Sequence, residues 1–194
     1  MKEIIRVLGA LFLLALSLLP AAAQVGPLKI AFVDTGNTGR SITAETMARI
    51  YALSHTIDAR FISRGIDVNP YEEKVEMNAQ VLWSRKGVDL SGHVAAQVTD
   101  RDMKRSDVVL TLTQKHKDHL LAVFPEAAGK TFTLSEYAGS GPADVEDPWG
   151  KPMDAYERMF SELTTLVPTA VEKAAAERAA IAARAAGTKA KTTP

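Results

Sequence analysis

Cysteine is absent from all 194 residues. No thiolate nucleophile is available, and no cysteine-borne lipid anchor can be attached. An excess of one charge is also lacking, since 23 Lys and Arg balance 23 Asp and Glu. Such a balance calls for no polyanionic partner, so neither nucleic acid nor a membrane surface is expected to bind. A nucleotide P-loop is missing as well. Gly150-Lys151 lack the flanking residues it needs, because Val145 and Pro152 stand where Gly and Ser or Thr would be required.

The composition that remains, 46% hydrophobic and 24% charged, suffices for one ordinary core and a single globular domain. Lys2 and Arg6 precede an apolar run over residues 7–19, then Pro20 and the small residues Ala21, Ala22 and Ala23. The three parts predict a secretory signal peptide over residues 1–23. The run is short for a spanning helix, so a permanent anchor is the weaker reading. The expected address is the periplasm, with no membrane attachment after cleavage. Removal of Lys2, Glu3 and Arg6 would leave 21 of the 23 basic and 22 of the 23 acidic residues, so the mature protein stays near neutral.

Apolar runs at residues 28–33, 59–63, 108–112 and 130–134 predict four strands. Between them lie helical patterns: Ala44, Met47, Ala48 and Tyr51; a stretch from Pro70 with Val75, Ala79 and Leu82; a brief helix capped by Thr99 or Asp100; and residues 114–124. A last helix starts near Asp154 with Tyr156, Phe160, Leu163 and Val167 on one stripe. Alternating strands and helices predict an α/β fold of three layers, a four-stranded parallel sheet with helices on both faces. The domain is expected over residues 28–172. After it, an Ala- and Lys-rich tail over 173–194 is expected to lose order at its end.

The first strand runs into Asp34-Thr35-Gly36-Asn37-Thr38-Gly39-Arg40-Ser41 and directly onto a helix. A glycine turn before a helix N-terminus aims backbone N–H groups and the positive end of a dipole at one spot, with Arg40 at the rim. That is an anion cradle, and phosphate is its usual guest.

These residues resemble the signature loop of the low-molecular-weight protein-tyrosine phosphatases, Val-Cys-x-Gly-Asn-x-Cys-Arg-Ser. Gly36, Asn37, Arg40 and Ser41 match; Asp34 stands at the nucleophilic cysteine and Gly39 at the second one. Ser63-Arg64-Gly65 is similar to the family's Ser-Ala-Gly, and Asp147-Pro148-Trp149 to its Asp-Pro-aromatic motif. Two motifs in order, about 110 residues apart, make the resemblance specific. It implies a phosphotyrosine protein phosphatase I-like fold and a phosphorylated protein or small phosphate ester as partner. It implies a site in which Thr35 to Arg40 form the cradle, Arg40 clamps two oxygens, Asp147 is the general acid and Trp149 walls the pocket. Asn37 and Ser41 would hold the loop's shape. Thr35 and the run Thr-Gly-Asn-Thr resemble the family's protein-arginine phosphatases more than its tyrosine-specific members.

Thiolate catalysis, and the thiol chemistry of the related arsenate reductases, is therefore closed to this chain. A carboxylate at 34 could fill the cradle as its own internal anion, which makes a pseudophosphatase. A phosphate charge about 4 Å from it would be repelled by roughly 4 kcal/mol at an effective dielectric near 20. The alternative is an active phosphatase with Asp34 as phosphoryl acceptor, which would call for a divalent cation such as Mg, held by Asp144, Glu146 and Asp147. Otherwise no cofactor or metal is expected, and for Asp144 and Glu146 a solvated face is the preferred reading. His116 and His119 are three apart but share the stripe of Leu120 and Val123, so packing is the better reading than metal ligation. Trp83 reads as structural.

Overall fold

The computed structural model describes residues 26–191, with side chains described as far as 185. Four strands, β1 (Leu28–Asp34), β2 (Ala59–Gly65), β3 (Val108–Thr111) and β4 (Thr131–Thr133), form one sheet in the order β2-β1-β3-β4. All three pairings are parallel, with Ile30 beside Phe61 on one side and beside Val108 on the other. β1 is central because it is apolar on both faces. Leu28, Ile30 and Phe32 join one core cluster with Leu110, Leu163 and Val167, while Ala31 and Val33 join a second with Val109, Met103 and Leu120. Burial on both sides is the mark of a sheet covered by helices on each face.

The helices are α1 (Arg40–Ser54), α2 (Met77–Ser84), α3 (Asp100–Arg105), α4 (Gln114–Val123), α5 (Leu134–Ala138) and α6 (Met153–Lys191). Two compact units divide the chain: Pro27–Ala175, which holds the sheet, and a second that includes residues 176–191, which are helical. The signal peptide expected over 1–23 lies outside the described residues. α6 continues past Pro168 to Lys191, further than the tail reading took it, through a stretch of strong helix formers.

Other boundaries moved. Residues 70–76 are irregular, and α2 begins seven residues after Pro70, because Glu76 donates its N–H to the Thr38 carbonyl at 2.9 Å instead of starting a turn. Leu134 begins α5 rather than ending β4. Thr133 caps that helix through a reciprocal bond pair with Glu136, the Thr-x-x-Glu spacing that marks a helix start. A 3-10 turn, Pro125–Lys130, fills the gap before β4. Because β1 pairs with β2 on one side and β3 on the other, the loop after β1 sits where the winding reverses. Ligands of open parallel sheets bind at that point.

Candidate functional site

Asp34 closes β1, and Gly65 lies opposite it in register. Ile66 and Asp67 donate their N–H groups to the carbonyls of Asp34 and Thr35, each at 2.9 Å, and so pin the start of the loop to β2. Gly65 has to be glycine, since a Cβ there would come within 2.7 Å of the Thr35 carbonyl oxygen and 2.6 Å of Val68. Beyond it, Asn37 takes a left-handed conformation, φ 60°, which asparagine tolerates better than most residues. Its side chain is fully buried. The Asn37 amide donates to Ser41 Oγ at 3.0 Å and accepts from the Ala96 N–H at 3.0 Å, while its carbonyl is bonded by His93 Nε2 at 2.8 Å. Asn37 thus ties the loop to the helix it feeds and to the segment crossing behind it.

The carboxylate of Asp34 lies inside this ring, only 3% exposed. Oδ1 accepts from the Asn37 N–H at 2.6 Å and Oδ2 from the Ser41 N–H at 2.8 Å. Charge-assisted bonds at the N-terminus of a 15-residue helix stabilise a negative group there. Ser41 bonds Asp34 through its backbone, and its hydroxyl is engaged by Asn37. The N–H groups of Thr35, Gly36, Thr38, Gly39 and Arg40 find no acceptor among the described residues.

Arg40 is buried, and its Nη2 meets Asp147 Oδ2 at 3.0 Å while Nη1 reaches the Val145 carbonyl at 3.4 Å. The loop, Arg40, Asp147 and Trp149 share a cavity of about 290 Å³ with Asp67, Glu72 and Glu76. Trp149 is 63% exposed on its wall. A larger cleft of about 590 Å³ lies along α2 near Gln80, Arg85 and Leu90 and holds none of the loop residues.

An Asp-x5-Arg loop at the mouth of β1, with a second aspartate folded onto its arginine, matches a known sequence family. Residues 29–188 fit the family described as low molecular weight phosphotyrosine protein phosphatase. The chain belongs to that family. It is 32% identical over 152 residues to a protein-arginine-phosphatase of Geobacillus stearothermophilus, covering 78% of this chain and 99% of the relative. It is 34% identical to the low molecular weight protein-tyrosine-phosphatase PtpB of Staphylococcus haemolyticus, over 72% of this chain and 95% of that one. Among solved structures, a mutant of YwlE from Bacillus subtilis superposes with a TM-score of 0.71 at 32% identity, covering 75% of this chain and 97% of that one.

Within the low molecular weight phosphatase fold, the structure brings together Asp34, the loop residues 35–41, Asp147 and Trp149. It does not bring Asp144 and Glu146 to Asp34. Asp144 Oδ1 accepts from the Gln114 N–H at 2.6 Å, at the start of α4. Glu146 pairs with Lys151 and Arg158 at 3.0 and 3.2 Å, and these cations hold its carboxyl down at about 2. The cation site expected from the three acids does not assemble, because two of them are drawn to other partners. Among the described residues no group of three His, Asp or Glu is placed to hold a metal ion.

Two residues at the site escaped the sequence reading. His116 is buried as expected, though its stripe does not extend to Val123, which is 58% exposed, or to His119. Its Nε2 bonds Thr35 Oγ1 at 2.9 Å, and its Nδ1 is buried with no partner among the described residues. Burial, helped by the charge of Arg40, pushes this imidazole down to about 4. Glu76 is the other. Nothing in the sequence links it to Thr38, 38 positions earlier, yet its Oε1 accepts from Thr38 Oγ1 at 3.1 Å and its Oε2 from the Tyr156 hydroxyl.

Proposed function

We propose that this is an exported phosphatase-family protein that holds the phosphoryl group of a phosphoprotein or small phosphate ester without thiolate catalysis. The observation that carries it is how Asp34 sits. Its two oxygens take the N–H groups of Asn37 and Ser41 and leave those of Thr35, Gly36, Thr38, Gly39 and Arg40 open toward the ligand. Asp34 therefore satisfies the floor of the loop, and the upper ring of donors keeps its reach. Arg40 would leave Asp147 for the phosphoryl oxygens, exchanging an ion pair whose acid is half exposed for a bidentate contact. Phosphoprotein as the ligand draws support from the relatives named for arginine and tyrosine phosphatase activity. Export rests on Lys2, Arg6, the apolar run and the alanines that follow it.

A second reading is favoured by one neighbour, a YwlE arginine phosphatase in which an active-site serine, introduced for cysteine, carries a phosphoryl group. In that protein an active-site oxygen carries the phosphoryl group. Here an Asp34 oxygen would attack phosphorus while the ester oxygen leaves with a proton from Asp147, and water would later cleave the acyl phosphate. Both Asp34 oxygens are already held by amides, and that lowers their nucleophilicity.

The test compares wild type, Asp34→Asn and Asp34→Cys for inorganic phosphate binding and for release of phosphate from p-nitrophenyl phosphate and a phosphoarginine peptide, with and without magnesium. Binding without turnover in wild type, with turnover in Asp34→Cys, is expected. Wild-type turnover that is lost in Asp34→Asn would establish the aspartyl mechanism instead.

A further inference from the structure

Glu76 lies outside the loop and its motif, yet it is closely fitted to the cradle. Its N–H bonds the Thr38 carbonyl at 2.9 Å, and its carboxyl is bridged between the hydroxyls of Thr38 and Tyr156. A Cβ on residue 39 would lie 2.5 Å from Glu76 Oε1. The carboxyl thus occupies space that only glycine leaves, at the position where the resembling loop has its second cysteine. It lines the same cavity as Thr35, Gly36, Thr38 and Arg40, so an oxyanion held by their amides would sit beside it.

We propose that Glu76 is a specificity-determining residue of the cradle: an oxyanion is held only when Glu76 carries a proton, so binding takes up one proton at that carboxyl. This rests on the oxyanion-binding reading above. The cavity has one cation, Arg40, against Asp34, Asp67, Glu72, Glu76 and Asp147, so an ionised Glu76 would face the ligand as a further like charge. Protonated, the same carboxyl becomes a donor, since Thr38 or Tyr156 can turn to accept or release it toward the ligand. Burial above all, then the charges of Asp34 and Asp147, push Glu76 up, while its two hydroxyl partners pull it down. Other groups around it are Tyr156 of α6, and Glu73 and Lys74, which border its outer side. Tyr156 is itself raised and stays neutral at working pH.

Sulfate is the probe, because its charge is constant between about pH 4 and 9, whereas phosphate titrates within that range. Binding to the purified protein is followed by calorimetry in two buffers of different ionisation enthalpy. In wild type, affinity should fall about tenfold per pH unit above the Glu76 midpoint, with close to one proton taken up per sulfate. Glu76→Gln should flatten the profile and bind at least tenfold tighter than wild type at pH 8. Gly39→Ala, which displaces the flexible end of Glu76 rather than backbone, should weaken the pH dependence. Wild-type binding with no proton uptake, or the same slope in Glu76→Gln, would overturn the assignment and leave the cradle reading standing. No sulfate or phosphate binding by either protein at any pH would sink both.

Discussion

The loop has a back and a front, and they are built on opposite principles. On the back, the loop's own polar groups are partnered: Asp34 with two amides, Asn37 with Ser41 and Ala96, Thr35 with His116, and the first two loop carbonyls with the Ile66 and Asp67 amides that follow β2. On the front, five N–H groups have no acceptor among the described residues, and the cavity sets five carboxylates around one arginine. A satisfied back fixes a shape whatever the front does. Asp34, at the position where the resembling loop has its nucleophilic cysteine, is therefore accommodated by the fold: its oxygens accept from donors on the back. Its effect falls on the front, where it adds a negative charge beneath an anion site.

Breaking the back should cost the most. Gly65→Val would press a side chain into the Thr35 carbonyl and Val68, and a shift of β2 or of the loop itself is the only relief. A loss of about 3 kcal/mol in unfolding free energy is expected in a urea titration. A variant as stable as wild type would show that the loop is not clamped to β2. Asp34→Ala leaves two buried amides without an acceptor and should cost about 2 kcal/mol. Asp34→Asn, whose single oxygen can serve one of them, should cost about half as much. Equal losses would mean that water replaces the carboxylate freely.

The back was the more legible half in sequence. Its residue types are dictated by backbone geometry: Asn37 at a positive φ, Gly65 at a close approach, Ser41 in the first turn of α1. Such constraints leave a pattern at fixed spacing. The sheet was legible for the same reason, since apolar runs with helical stripes between them admit few arrangements. The front depends on residues that reach the cavity from distant segments. Glu76 arrives from an irregular stretch and is held by Tyr156 of α6, and no periodicity relates either to residue 34; on the back, His116 reaches Thr35 from α4 with equally little signal. Asp144 and Glu146 show the same gap in reverse. They are neighbours of Asp147 in sequence, yet an amide of α4 and the cations Lys151 and Arg158 drew them away.

His116 offers a subtler test of the back. Burial holds it neutral, so its folded value, about 4, lies below the ordinary 6.5. Between those values the unfolded chain binds a proton that the folded chain does not. The contribution is thus fully present above pH 6.5 and is lost as pH falls toward 4, by up to about 1.4 kcal/mol per unit. Glu76, raised in the fold, acts with the opposite sign, its contribution being lost as pH rises above 4.5. His116→Gln should flatten the acid limb between pH 4 and 6.5 in thermal melts and leave that of Glu76 unchanged. An acid limb of undiminished slope would move its cause away from α4.

The smallest stability effect belongs to the front. Asp147 is 55% exposed, so its pair with Arg40 is screened, and Asp147→Asn should change unfolding free energy by less than about 1 kcal/mol. Its effect on binding should be of the other kind. Removing that charge frees the guanidinium and takes one like charge from the cavity, so phosphate should bind several-fold tighter to Asp147→Asn than to wild type. If Asp147 instead serves as a proton donor to a leaving group, the same variant would bind tighter and lose turnover. Isothermal binding and phosphate release on one preparation separate the two roles. Weaker phosphate binding in Asp147→Asn would mean that the Arg40–Asp147 pair holds the arginine in place for the ligand rather than competing with it.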